Sequence, residues 1–266
     1  MATASAQFRQ ILGIRFFIGG ADEAIARIRA GGLLVVPGAP ALKNVAHDPA
    51  YREALQGADL VIPDSGFMVM IWNWLKRDSI RRVSGLKYLS SLLKQPDFSQ
   101  PGGSFWIMAS EESARRNCSW LRRQGIELAA ADRYIAPLYG KTIQDPALLK
   151  LINERRPRHI VVTIGGGTQE RLGLYLRSQL KCKPSIHCIG AAIAFLSGDQ
   201  VQIPRWADRM YLGWLFRCLS DPLRYMPRYW GARKLLSLMI RYGSSLPSAE
   251  LATANERIAS TPTTSP

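Results

Sequence analysis

Acidic residues are scarce in this sequence of 266 residues, because 20 Asp and Glu face 35 Lys and Arg and leave a formal net charge of +15. Such an excess of positive charge favours an anionic partner, namely nucleic acid, anionic lipid or a phosphorylated substrate. The hydrophobic fraction of 47% excludes a chain that is disordered throughout. We therefore expect a folded protein with a large buried core and an anionic ligand or surface.

Cysteine and histidine are also few. The cysteines have no C-x-x-C spacing, and no histidine pairs with a cysteine at the spacing of metal ligands. The residues are Cys118, Cys182, Cys188 and Cys218, and His47, His159 and His187. This pattern argues against a zinc site and against a disulfide scaffold, so we expect no metal, no cofactor and a reducing cytosolic compartment.

Long apolar runs are missing as well. No run reaches the ~18 residues of a membrane-spanning helix. The run that starts at Ile11 is interrupted by Arg15 and Asp22. The first ten residues lack the basic and apolar regions of a secretory signal. We therefore expect a cytosolic protein that can lie against a membrane.

Short apolar segments alternate with segments of helical period from about residue 20 to residue 200, which is typical of an α/β protein. Most of the predicted strands are apolar on both faces, as in a parallel sheet covered by helices on each side. The predicted strands are 33–37, 59–63, 104–109, 126–130, 159–164 and 185–189. The pattern predicts a Rossmann-like, doubly wound, mostly parallel sheet over residues 1–204.

The composition changes near Pro204. Residues 205–242 contain eight Lys or Arg against two acids, interleaved with eight aromatic residues, and they predict a basic helical appendage in which Pro222 starts a second helix. Basic and aromatic residues together also suit single-stranded RNA, but the helical spacing favours packing or membrane insertion. Residues 243–266 are dominated by Ser, Thr, Pro and Ala and predict a disordered tail.

Asp64 follows the predicted strand 59–63 directly. Because the carboxyl ends of strands face the ligand crevice in an open α/β sheet, a carboxylate here can accept a proton from a bound hydroxyl. Alternatively, Asp64 only caps the helix that begins near Gly66. Position alone leaves both interpretations open.

A glycine-rich turn lies between the predicted strand 159–164 and the next helix. Glycine lets the backbone approach a ligand closely, and the N–H groups at a helix start favour a diphosphate. The turn matches neither a P-loop nor a complete G-x-G-x-x-G, so an ordinary turn without ligand is the alternative. Its residues are Gly165, Gly166, Gly167, Thr168, Gln169 and Glu170. A basic turn with Arg82 precedes another predicted helix. This turn is either a ligand contact or a solvated helix start.

Several short motifs occur in a fixed order along the chain. They are Ala58-Asp-Leu-Val-Ile-Pro-Asp64-Ser-Gly66, Arg82-Val-Ser-Gly85, Gly165-Gly-Gly-Thr-Gln-Glu170, Ile189-Gly190, Phe195-Leu-Ser-Gly198, Pro204-Arg-Trp206, Trp214-Leu-Phe-Arg217, Asp221-Pro-Leu-Arg224 and Arg228-Tyr229. Each motif is weak alone, but their order and spacing over about residues 11–229 resemble the WecG/TagA/CpsF bacterial glycosyltransferases, glycosyltransferase family 26.

The resemblance implies an inverting, metal-independent transferase that moves a sugar from a UDP-sugar to a polyprenyl-diphosphate-linked sugar at the cytoplasmic membrane face. It implies that Asp64 is the general base. The implied donor-binding residues are Gly165, Gly166, Gly167, Thr168, Gln169, Glu170 and Gly190, and the implied acceptor-binding residues are Arg82, Arg217, Arg224 and Arg228. The expected partners are these two substrates and an anionic membrane surface, without nucleic acid, and a homo-oligomer stays open.

The sequence departs from the family's pattern at several positions. Pro37-Gly38-Ala39 replaces Thr-x-Asn, and Ala194, Gln202 and Gly213 replace an aspartate, an arginine and a glutamate. Retention of Asp64 without these partners fits an altered sugar preference, which we favour. The alternative is a divergent protein of the same fold that binds nucleotide sugars.

Overall fold

The described residues of the protein, 7–198 and 213–247 of a computed structural model, form one central sheet. Its strands are β1 (Phe8–Ile11), β2 (Ile14–Phe17), β3 (Gly32–Val35), β4 (Leu60–Val61), β5 (Ser104–Met108), β6 (Arg133–Ile135), β7 (His159–Val162) and β8 (Ser185–Cys188). Their spatial order is β1-β2-β4-β3-β8-β7-β5-β6. Every neighbouring pair is parallel except the β1–β2 hairpin.

Helices cover both faces of this sheet. They are α1 (Ala21–Ile28), α2 (Ala39–Leu42), α3 (Pro49–Gln56), α4 (Gly66–Lys76), α5 (Gly85–Leu92), α6 (Glu111–Arg123), α7 (Pro146–Arg155), α8 (Thr168–Gln179), α9 (Ala194–Ser197), α10 (Gly213–Ser220), α11 (Pro222–Ala232) and α12 (Lys234–Tyr242). Strand β3 shows the two layers, since Leu33 and Val35 join one buried cluster and Leu34 joins the other. The predicted α/β class with a mostly parallel, Rossmann-like sheet is confirmed.

Five of the six predicted strands contain an observed strand, although β4 has only two residues. The prediction for 126–130 is wrong, because the strand β6 lies at Arg133–Ile135, after a 3₁₀ turn at Ala130–Asp132. Strand β6 pairs only with β5 and is half-buried, so its sequence carries little of the apolar signal of a central strand. The β1–β2 hairpin was not predicted, since Arg9, Gln10 and Arg15 interrupt its apolar pattern.

The chain after residue 212 packs on the core. The single helix predicted to run on from Pro222 is two helices, α11 and α12, and α12 buries Leu235 and Met239. The carbonyls of Gly243 and Ser244 then accept hydrogen bonds of 2.9 Å from the turn of the β1–β2 hairpin. Gly243 and Ser244, the first residues of the predicted disordered tail, are therefore bound to the core. Residues 205–212 of the appendage and 248–266 of the tail lie outside the described residues.

Membrane-spanning helices do not occur in the described ranges, where every helix is too short or too polar to cross a bilayer. The longest of them, α6, has 13 residues and carries charges along its length.

A row of buried polar side chains joins the sheet to α5. The Tyr88 hydroxyl lies 2.7 Å from His187 Nδ1, and His187 Nε2 lies 3.1 Å from His159 Nδ1. Burial lowers the pKa of His159 and lowers that of His187 well below its ordinary value. Both imidazoles are therefore held neutral, and the hydrogen bond to Tyr88 fixes α5 against β8.

Gly173 allows α8 to lie close to the sheet. A Cβ atom at this position would lie 2.6 Å from Cys188 Sγ and 2.6 Å from Leu33 Cδ1. We expect Gly173→Ala to lower the free energy of unfolding by ~1–3 kcal/mol despite the better helix propensity of alanine, because the core is overpacked. Urea denaturation measures this, with Ser178→Ala on the exposed face of α8 as the control. A Gly173→Ala protein as stable as the parent would contradict the close packing.

Candidate functional site

A cleft of about 770 Å³ opens where β3 and β4 end, and α10 and α11 form its other side. Its lining residues are Gly38, Ala39, Pro40, Asp64, Ser65, Gly66, Phe67, Met70, Arg82, Cys218, Met226, Pro227, Tyr229, Trp230, Ala232 and Arg233. A few charged groups thus face a largely apolar wall. The carboxyl ends of parallel strands are the usual position of a ligand site in this class of fold.

Asp64 lies on the core side of the cleft, three residues after the end of β4. Its Oδ1 atom accepts a hydrogen bond of 3.1 Å from the Gly85 N–H and one of 3.2 Å from Arg82 Nη2. The Nε of Arg82 also donates to the Asp64 carbonyl oxygen. The carboxylate keeps 28% of its side-chain surface exposed, so it is held firmly and still reaches the cleft.

The interpretation of Asp64 as the cap of the helix at Gly66 is wrong. Ser65 caps α4, because its Oγ atom accepts a hydrogen bond of 3.1 Å from the Met68 N–H. Asp64 instead binds the first N–H of α5, next to the cap Ser84. Its carboxylate therefore joins the end of β4 to the start of a helix that follows 21 residues later.

The glycine turn after β7 is closed by a buried carboxylate. Gly167 adopts a φ of +91°, which favours glycine, and its N–H donates to Glu170 Oε2 at 2.6 Å. Gln169 Nε2 donates to the other carboxylate oxygen at 3.1 Å. Glu170 is fully buried, and burial raises the pKa of its carboxyl from 4.5 to about 7. The Glu170 side chain thus holds the turn through a hydrogen bond on its buried side. Thr168 begins α8.

Gln169 connects this turn to the next strand end. Its Oε1 atom accepts a hydrogen bond of 2.6 Å from the N–H of Gly190, which follows β8 with a φ of +58°. Ile189 precedes Gly190, and its carbonyl oxygen lies 3.4 Å from the point that a Cβ atom at Gly85 would occupy, so the two backbones are close together here. The glycine turn and Asp64 are therefore linked across the ends of four adjacent strands, although the described lining of the cleft includes none of residues 165–170.

Comparison with known proteins bears directly on this arrangement. The sequence model of the WecG/TagA/CpsF glycosyl transferase family matches residues 9–248. The chain belongs to this family. A curated relative from Bacillus spizizenii is the N-acetylglucosaminyldiphosphoundecaprenol N-acetyl-beta-D-mannosaminyltransferase, which is 24% identical over 196 residues, 72% of this chain and 69% of the relative. The resemblance stated from the motifs is confirmed, and the protein is a glycosyltransferase.

The arginines that the family resemblance assigns to the acceptor lie on two helices beside the cleft. Arg217 belongs to α10, and Arg224 and Arg228 belong to α11, but their side chains are outside the described part of the structure. Arg82, by contrast, is seen at the cleft wall in its ion pair with Asp64. Among the positions where the sequence departs from the family's pattern, Ala194 starts α9.

The family motifs did not identify the apolar wall of the cleft. Five residues of this wall were not predicted as site residues, namely Phe67, Met70, Met226, Trp230 and the cation Arg233. Their signal in the sequence is weak, since apolar residues at helical spacing usually indicate a core-facing helix. Only the fold brings them together, because α11 packs on α2 while α12 packs on α4.

A second cavity of about 310 Å³ lies at the amino ends of the strands, where β7 and β8 begin. Arg29 and Arg158 line it and each lies 3.7 Å from Asp97 Oδ2. These cations are thus already balanced in part by a carboxylate. No group of His, Cys, Asp and Glu within residues 7–198 and 213–247 is arranged to hold a metal ion.

The buried carboxyl of Glu170 predicts a pH dependence of stability. Because its pKa is about 7 when folded and near 4.5 when unfolded, its contribution to stability is full below pH 4.5 and is lost as the pH rises to about 7. The loss is on the order of 3 kcal/mol at 1.36 kcal/mol per pKa unit.

Glu170→Gln removes this titration. We expect the free energy of unfolding of the parent, relative to that of Glu170→Gln, to fall between about pH 5 and about pH 8. Urea denaturation at both pH values measures the difference, in which all other titrating groups cancel. A difference independent of pH would show that Glu170 is ionised throughout.

Proposed function

We propose that this glycosyltransferase moves a sugar from a UDP-sugar to a sugar linked to a polyprenyl diphosphate and inverts the anomeric centre. The observation that carries the proposal is the fixed carboxylate of Asp64 at the wall of a cleft whose other wall is apolar. The relative from Bacillus spizizenii is named for an acceptor that joins N-acetylglucosamine to undecaprenol through a diphosphate. A cleft with charged groups beside apolar side chains suits such an amphipathic acceptor.

Asp64 acts as the general base in the proposed reaction. It takes the proton of the acceptor hydroxyl while the hydroxyl oxygen forms a bond to the anomeric carbon from the face opposite UDP. The bond between this carbon and the UDP oxygen breaks, and UDP leaves with the electron pair. The hydrogen bonds from Gly85 and Arg82 support this role, because they fix the orientation of the carboxylate before the acceptor arrives.

The glycine turn is the proposed site of the UDP diphosphate. The start of α8 contributes the positive end of a helix dipole, and glycine at 165 and 166 lets the backbone approach the phosphates. A Cβ atom at Gly165 would have no neighbour within 4 Å, so open space adjoins the turn. Glu170 and Gln169 act as positioning residues, since they are buried and hydrogen-bond to Gly167 and Gly190.

The basic helices α10 and α11 are the proposed contact with the acceptor diphosphate and with the anionic inner face of the cell membrane. Arg217, Arg224 and Arg228 belong to these helices. Each cation near an anionic membrane contributes about 1 kcal/mol, and guanidinium groups suit diphosphates geometrically. The net charge of +15 supports both attractions.

A nucleotide-sugar-binding protein without transfer activity is the second candidate function. Gly38, Ala39 and Pro40 line the cleft next to Asp64 and offer a sugar no polar side chain. Purified protein that binds UDP but transfers no sugar from any UDP-sugar would favour this second function. Transfer to a lipid-linked acceptor would exclude it.

The role of Asp64 as base predicts a large loss of turnover in Asp64→Asn. We expect kcat to fall by about 10²- to 10⁴-fold with little change in UDP binding, because the amide cannot take the proton. The matched control is Asp59→Asn at the other end of β4, whose carboxylate accepts from Leu33 N–H and pairs with Arg177. Steady-state kinetics and a thermal melt measure both variants. Parental turnover in folded Asp64→Asn would rule out the base assignment.

The proposed diphosphate site predicts that a branched side chain at Gly165 blocks the donor. We expect Gly165→Val to weaken UDP binding at least about tenfold with an unchanged melting temperature, because its Cβ meets no protein atom within 4 Å. Gly140→Val is the control, since that position also has open space and lies outside the turn. Titration calorimetry with UDP provides the comparison. Equal affinity in both variants would place the nucleotide elsewhere.

A further inference from the structure

Helix α4 is apolar on its outward face as well as on its buried one. Met68, Val69, Ile71 and Trp72 face the core. On the other side, Met70 is 54% exposed and Trp74 is 72% exposed. A helix that is apolar all round is normally covered on all sides, so this outward face requires an explanation.

The outward face of α4 begins inside the cleft. Phe67, Met70 and Trp74 are spaced by three and four residues, so they form one stripe along the helix. Phe67 and Met70 line the cleft, and Phe67 is only three residues from Asp64. From Phe67 beside the cleft to Trp74 at the outer surface, the stripe rises about 10 Å along the helix, at 1.5 Å per residue.

Helix α11 supplies the opposite wall of this stripe. Met226 is 58% exposed and Trp230 is 67% exposed, and both line the cleft together with Phe67 and Met70. The Arg233 guanidinium lies 4.1 Å from the centre of the Trp230 ring. Cations therefore lie at the same cleft as the apolar side chains, which is the complement of a diphosphate joined to a hydrocarbon chain.

We propose that the stripe of Phe67, Met70 and Trp74 on α4, opposite Met226 and Trp230, holds the first isoprene units of the lipid acceptor. This inference rests on the proposed function and adds to it a binding track for the acceptor tail. A hydrocarbon chain fits a stripe one side chain wide that starts at the cleft. Methionine adapts well to such a flexible ligand.

The test compares two soluble acceptors, N-acetylglucosamine diphosphates that carry either one or four isoprene units. We expect the parent protein to show a lower KM for the longer tail. Trp74→Ser should raise the KM of the longer acceptor about tenfold, because apolar contact area is lost, and should leave the KM of the shorter acceptor and both kcat values unchanged. Trp74→Leu, which stays apolar, should keep most of the preference.

Leu138→Ser is the matched control, because Leu138 is fully exposed and is not part of the lining of the cleft. It should leave the preference for the longer tail unchanged. Met70→Ser, with its own thermal melt, provides a second variant of the stripe. If Trp74→Ser does not fold, Met70→Ser should still show the loss of preference.

Other outcomes would overturn the track. Equal KM values of the parent for both acceptors would do so, as would an equal rise for both in Trp74→Ser. If Trp74→Ser keeps the preference for the longer tail but changes the oligomeric state, the stripe belongs to an interface with a second copy. If it keeps the preference but changes binding to acceptor-free vesicles, the stripe belongs to a contact with the bilayer. If the parent transfers no sugar to either acceptor, the proposed function fails and the track fails with it. If the parent transfers sugar normally but shows no preference for the longer tail, the track is rejected and the proposed function stands.

Discussion

The hydrogen bonds that Asp64 accepts from Gly85 and Arg82 hold together the end of β4, the start of α5 and the wall of the cleft. The partners are 18 and 21 residues away in the sequence, so only the folded chain brings them together. Tyr88 also fixes α5, through its hydrogen bond to His187 in β8. The carboxylate is thus placed by packed elements of the core, which is what a preoriented catalytic group requires.

The glycine turn depends on the same edge of the sheet. Glu170 and Gln169 are buried, and they bind Gly167 and Gly190, which follow two adjacent strands. A buried carboxyl with a raised pKa is costly for stability, and such groups are often retained where backbone geometry matters for function. The turn and the wall of the cleft are therefore linked through the backbone around Ile189.

In the proposed reaction, helix α4 joins the base and the lipid track in one element. Its first turn follows Asp64 directly, its inner face belongs to the core, and its outer face continues from the cleft to the surface. Helices α11 and α12 complete this arrangement from the C-terminal part of the chain, and Gly243 and Ser244 bind it to the β1–β2 hairpin. An acceptor that combines a sugar, a diphosphate and a hydrocarbon chain would find a matching surface for each part.

The sequence by itself determined the α/β class, five of the strands and the family, because these follow from local periodicity and ordered motifs. It also indicated Asp64, but it could not distinguish a cap from a base. Tertiary structure decided that Asp64 binds α5 rather than capping α4, that Glu170 is buried, and that α4 and α11 line the same cleft. It also decided the hairpin, whose apolar pattern is interrupted by Arg9, Gln10 and Arg15, and the edge strand β6, whose sequence carries little apolar signal. Except for the hairpin, each of these depends on contacts between residues far apart in the chain, which local patterns do not record.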